Sequence, residues 1–312
     1  MKALALLIGV WCSLYAAISP STIIKTDALV SDMVVSEGKL YVATDGDGVE
    51  IFDTKSFKKL TVLHIPNIKS LSGKSYSPKI YSVDHYKNAT VLVSESGSNF
   101  RNVYVIKDGK TRQIIDNGRG LLIKKVRFVD ENHLLFGLTG DTIVLMDIAK
   151  NTLVYQVQAG GGVFRDFALN PSKSYVAVAD EGGEITMIDV KRGRRIKTLR
   201  GINVDNINHI DYKQNTIISA GQDRRVGIYS AGNSYFLDSD FFVYAVGLSP
   251  SASLGVYTDG TENELQVFNT ASKTKTSRLR GGEVVFDTLI FLDEHRLIGA
   301  GEENKIYYWR IP

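Results

Sequence analysis

Cysteine is almost absent from this sequence: Cys12 is the single one in 312 residues. It lies inside an apolar N-terminal run, so a chain trimmed of that run holds no thiol. That excludes disulfides, thiolate metal sites and a cysteine nucleophile. Proline is scarce at 6 residues, and tryptophan more so, with 2 against 15 tyrosines. Neither sign of charge dominates. The 37 Lys+Arg and 34 Asp+Glu leave a formal charge of +3, too little to argue for nucleic acid or an anionic membrane as the main partner. No apolar run reaches the ~20 residues that a membrane-spanning helix needs. What is present is 44% apolar and 23% charged, and rich in Val, Ile, Thr and Ser, a composition that leans towards β structure.

The first nineteen residues, "MKALALLIGVWCSLYAAIS", differ from the rest. Lys2 precedes an apolar stretch from Ala3 to Val10 and on to Ala17, followed by small residues. This is the layout of a secretory signal peptide over residues 1–19, with cleavage expected near Ala16 or Ala17. Trp11 stands where a lipoprotein signal needs a small residue before Cys12. The expected product is a soluble exported domain over residues 20–312, located in the periplasm.

That domain is built on a repeat. The segments "GVEIFD", "NVYVIK", "TIVLMD", "EITMID", "RVGIYS", "ELQVFN" and "KIYYWR" end at Asp53, Lys107, Asp147, Asp189, Ser230, Asn269 and Arg310, at intervals of 54, 40, 42, 41, 39 and 41. Each follows an apolar strand and a Gly/Asp-rich turn, as in "LYVATDGDG" and "YVAVADEGG". Another strand lies upstream and a fourth downstream, as in "RRIKTLRG". Four short strands every 40 or so residues, without helical periodicity, predict an all-β, seven-bladed β-propeller with one insertion between the first two blades. The last copy ends after its third strand. "STIIKTDAL", which precedes the first copy and shares an Ile-Lys-Thr core with "RRIKTLRG", is expected to supply the missing outer strand and close the ring.

These copies resemble degenerate tryptophan–aspartate (WD) repeats. The third-strand pair survives as Phe52-Asp53, Met146-Asp147 and Ile188-Asp189, and Trp309 is followed by Arg310. The Gly-His pair that usually opens such a repeat is missing, which puts the His–Asp network of that family in doubt and leaves packing to hold the blades together.

No motif points to catalysis. The histidines at 64, 85, 133, 209 and 295 show no i, i+4 pair; His133 and His295 begin second strands, and His85 and His209 lie near the channel. "TDGDGVEIFD" has the Asp45/Asp47 spacing of a calcium loop but Val49 at the third ligand place, so it reads as a hairpin turn. The triple glycine of "AGGGVF" leads into a strand and lacks the helix N-terminus of a phosphate cradle. No catalytic residue, metal or cofactor is expected.

The candidate site is positional. Loops entering the inner strands and the second-to-third turns share one face of a propeller. There the sequence places Lys124, Lys125, Arg165, Asn206, Arg224, Arg225 and Tyr244, with Asp205 and Asp287 beside them. Arg and Tyr are favoured at binding hot spots. The expected function is non-catalytic binding of a protein partner on this face. Signal peptide, degenerate repeats and a Lys-rich, Cys-free remainder also resemble the NapL-type accessory proteins of periplasmic nitrate reductases. That resemblance implies a role in maturation or assembly of the reductase. The alternatives are a propeller hydrolase or lactonase, which would need a metal held in the channel, and a small-ligand binder with an apolar pocket near Tyr244.

Overall fold

A computed structural model describes residues 17–46, 48–70 and 72–312. Seven four-stranded antiparallel sheets follow one another along the chain, each ordered inner, second, third and outer strand. The inner strands are Val30–Ser36, Ile80–Tyr86, Ile123–Phe128, Phe164–Leu169, Ile207–Lys213, Val246–Leu248 and Thr288–Asp293, for blades 1 to 7 in order. The extra residues between blades 1 and 2 carry a small hairpin of Ile68–Lys69 with Ser75–Tyr76.

Burial explains the composition of each strand. A third strand is covered on both faces by its neighbours, so Thr142–Asp147 is buried throughout and apolar in nearly every position. The outer strand of the same blade, Thr152–Gln158, is almost entirely exposed and mixed. Packing between blades is close enough to dictate small residues. A Cβ on Gly137 would fall 2.3 Å from the ring of Phe164 in the next blade.

The aspartates of the degenerate pairs turn the chain outward. Asp147 accepts from the backbone N–H of Lys150 (2.9 Å), and Asp189 does the same for Arg192 (2.9 Å). Asp53 caps the corresponding turn through Ser56, and Asn269 through Ser272. Their recurrence is therefore local turn chemistry.

Ring closure is as expected. Thr22–Lys25 pairs antiparallel with Lys305–Arg310 and forms the outer strand of blade 7. Of the two isoleucines in this strand, Ile24 is buried and Ile23 is exposed. The chain also reaches further than blade 7. Ile18 donates to the carbonyl of Arg278 (2.8 Å) and accepts from Arg280 (3.0 Å), beside the outer strand of blade 6. Its side chain packs on the core shared by blades 6 and 7. Two blades are thus stapled by one segment. The bulk of the expected leader, residues 1–16, lies outside the described residues.

Packing is not alone in joining the blades. Inner-strand side chains reach across to the backbone of the next blade. Asp32 accepts from Val83 N–H (3.0 Å), Ser82 from Val126 (3.2 Å), and Asp84 from Phe128 (2.6 Å). Asp166 accepts from Ile210 (3.0 Å) and Asp211 from Leu248 (3.0 Å). The joint between blades 3 and 4 is an ion pair, Lys125 Nζ to Asp166 Oδ1 at 2.5 Å. A chain without the Gly-His signature thus has a polar network after all, moved onto the inner strands.

Candidate functional site

The inner strands enclose a central channel of about 780 Å³. Five of them carry a bulge at the same place, where pairing with the second strand slips between Val30 and Asp32, Ile80 and Ser82, Ile123 and Lys125, Phe164 and Asp166, and Ile207 and His209. The skipped residues are Ser31, Tyr81, Lys124, Arg165 and Asn208, and all five line the channel. A bulge re-aims the side chain it carries. One residue before each bulge sits a fully buried anchor, such as Ile123 or Phe164.

The seven expected site residues share the channel-mouth face but divide into two groups. Lys124 and Arg165 are exposed bulge residues that make no side-chain hydrogen bond or ion pair among the described residues. Arg224 is exposed at the tip of its turn, and Tyr244 is half-buried at the entry to blade 6. The side chains of the other three are engaged. Asn206 is buried and donates to Asn208 (2.7 Å) and Gln222 (3.1 Å). Arg225 donates to Ile202 O (3.0 Å) and stacks on Phe236. Lys125, its side chain 18% exposed, holds Asp166. Charge reversal at Lys125 therefore cannot be the silent surface change that its place in the sequence suggests, because it would set two carboxylates against each other.

Deeper in the channel, Arg127 binds Asp32 at 3.0 and 3.2 Å and donates to Val83 O (2.9 Å), linking blades 1, 2 and 3. Burial alone would raise the Asp32 carboxyl; Arg127 more than reverses this and holds it below the usual range. His209 accepts from Val246 N–H through Nδ1, which leaves the proton on Nε2, 3.7 Å from Asp166. Burial pushes its pKa down, so it is neutral at pH 7. His85 stacks on Tyr41 (4.2 Å) and its Nδ1 meets Thr90 (2.9 Å). Among the described residues, no three His, Cys, Asp or Glu side chains stand together in a way that could hold a metal. Asp45 accepts from Leu29 N–H as a turn residue does, and Asp47 lies outside the described residues.

Sequence reading missed the apolar part of this face. Fourteen large apolar side chains are exposed among the described residues, and six of them sit in channel-mouth loops: Leu29, Phe100, Leu122, Val163, Val204 and Val285, at 37–63%. Val35 and Tyr175 lie towards the opposite end, as do Leu60, Leu153, Val154 and Ile196 at the starts of outer strands. Leu29, Leu122 and Val163 each directly precede a buried anchor, at Val30, Ile123 and Phe164, as does Val285 at Phe286. The repeat therefore sets an apolar ring just outside the channel. The signal was present as an apolar pair in four of these loops, one member buried and the other not.

No protein-family profile matches the chain, and no curated protein matches its sequence. Its structure, however, is similar to the crystal structure of the Myceliophteria thermophila Cps50 (Swd1) β-propeller domain. The TM-score is 0.74 at 13% identity, over 94% of this chain and 99% of that one. The fold is a seven-bladed β-propeller.

The first glycine of the triple, Gly160, has a structural cause. Asp141 is buried beneath the loop, and a Cβ on Gly160 would meet its Oδ2 at 2.6 Å and that of Asp180 at 3.0 Å. Burial, reinforced by Asp180, raises the Asp141 pKa to about 6. A folded pKa above the unfolded one means that this group's contribution is fully present below pH ~4 and is lost as pH rises through 6. Asp141→Asn keeps the acceptor and removes the charge. It is expected to raise stability at pH 8 by roughly 1–3 kcal/mol while changing little at pH 4. Thermal melts of both proteins at the two pH values check this; an Asn variant less stable at pH 8 contradicts it.

Proposed function

We propose that this propeller is a non-catalytic scaffold that docks a protein on its channel-mouth face. The observation that carries this reading is the apolar ring of Leu29, Leu122, Val163, Val204 and Val285, interleaved with the free cations Arg165 and Arg224. Apolar side chains set round a channel mouth in successive loops and edged by charge form the pattern of an interaction site. Rigid blades present these loops with little ordering cost on binding.

Export to the periplasm is part of the proposal and rests on the Lys2-to-Ala17 signal layout. Cleavage before Ile18 would keep the staple on blade 6. The layout shared with NapL-type proteins favours a component of periplasmic nitrate reductase as the partner.

The double variant Val163→Asp/Val285→Asp tests the docking reading, because both side chains are exposed and their loss leaves the buried anchors in place. Expected is an at least tenfold loss of partner recovery in pull-downs from periplasmic extract of the native host, with the melting temperature unchanged. The opposite-face variant Lys191→Glu/Arg194→Glu should recover the partner normally. Equal recovery by all three proteins would overturn docking on this face. If the recovered partner is not a nitrate reductase component, the narrower reading falls and the wider one stands.

A further inference from the structure

The channel holds a charge imbalance that the joints between blades do not use. Six Lys and Arg residues line it against four aspartates, an excess of two cations in a chain whose formal charge is only +3. Most of the six are engaged. Lys125 holds Asp166, Arg127 holds Asp32, and Lys213 binds Asp211 at 2.8 Å. Lys173 donates to Phe128 O (2.7 Å) and lies over Tyr86. The excess is Lys124 and Arg165.

These two are neighbours by construction. They occupy the bulge in adjacent blades, 3 and 4, so both are turned into the channel at one level. Tyr81 holds the same place in blade 2, and its hydroxyl makes no hydrogen bond among the described residues. Arg101 stacks on the Tyr81 ring at 4.0 Å and adds positive charge to that side. Asp287, at the entry to blade 7, stands across the ring from blades 3 and 4. Two unpaired cations in a cleft with low-dielectric walls concentrate positive potential at its mouth. Arg165 brings a guanidinium fork suited to two oxygens of one group, and Tyr81 a phenol donor.

We infer that the channel mouth binds a small, multiply charged oxyanion, a polycarboxylate or a phosphate-bearing molecule, between Lys124 and Arg165 with Tyr81 donating at the edge. The channel volume of about 780 Å³ lies within the range of small-molecule sites. This site lies inside the apolar ring and shares Arg165 with the proposed docking face, but it does not need a protein docked outside it.

Isothermal titration of the full chain at low salt tests it, with citrate and inorganic phosphate as probes and hexaglutamate as a third arm. Expected is saturable 1:1 binding of citrate or phosphate with Kd below about 1 mM. Lys124→Ala/Arg165→Ala should weaken it at least tenfold, with an unchanged melting temperature. Lys191→Ala/Arg194→Ala, which removes the same charge from the opposite face, should not. Absence of saturable binding overturns the inference, as does equal weakening in both variants, which would mean a response to net charge alone. Hexaglutamate binding about tenfold tighter than either small anion would also overturn it, by assigning the cations to a protein's carboxylates.

Discussion

Removing residues 18–25 from an otherwise intact propeller is expected to lower its melting temperature by roughly 10 °C or more. Three losses add up. The strand Thr22–Lys25 leaves Lys305–Arg310 with an open edge, losing about four ladder hydrogen bonds at ~0.5–1.5 kcal/mol each. Buried Ile24 loses ~1.5–3 kcal/mol of apolar burial. Ile18 gives up its two backbone bonds to blade 6. Together these reach several kcal/mol, comparable with the whole margin of an ordinary domain, at a few degrees per kcal/mol. The unpaired third strand of blade 7, "KIYYWR", would also be an apolar edge prone to pairing between chains. Differential scanning calorimetry decides the matter. A shift within about two degrees would mean that the N-terminal segment does not hold the ring closed.

Arg127→Met is expected to be the most damaging single substitution in the channel, at about 3–5 kcal/mol. The guanidinium satisfies Asp32 and the Val83 carbonyl at once, and Asp84 lies close enough to feel its charge. Without it, Asp32, its side chain only 14% exposed, has lost its counter-charge, and removing one partner of a largely buried pair costs far more than replacing both. The double variant Asp32→Asn/Arg127→Met should therefore be less destabilised than the sum of the two single variants. Denaturant titration of all four proteins gives the coupling energy. A single-variant cost below about 1 kcal/mol would show that the Arg127 ion pair is not what joins blades 1 to 3.

The two predictions differ in how readily the sequence announces them. Ring closure was legible because it needs only a strand count: "KIYYWR" is a third strand with no fourth, and "STIIKTDAL" a strand with no blade. Repetition also made the seven blades legible, since each third strand is buried on both faces and so reads as an apolar run. The network around Arg127 was not legible. Asp32, Ser82, Lys125, Asp166 and His209 occupy one repeated position, one residue past the bulge, but they share no chemistry that would align them by eye. Which face each side chain takes depends on a bulge that leaves no residue signature in these strands. The same slip explains the division of the candidate site. Lys124 and Lys125 are adjacent and identical in type, yet one is the exposed bulge residue and the other the half-buried partner of Asp166. The apolar ring escaped notice for a related reason, because Leu122-Ile123 and Val163-Phe164 read as two core residues when only the second is one.

The central claim is that the channel-mouth face, and not the rim of outer strands, meets a protein partner. Site-specific photo-crosslinking in the native host tests it most directly. A photoreactive side chain would be placed at Val163 in one strain, Val285 in a second and Ile196 in a third. All three positions are exposed, but Ile196 lies on an outer strand. The account predicts one discrete adduct of the same mass from positions 163 and 285, and none from 196. An adduct from 196 alone, or equal labelling at all three, would contradict it.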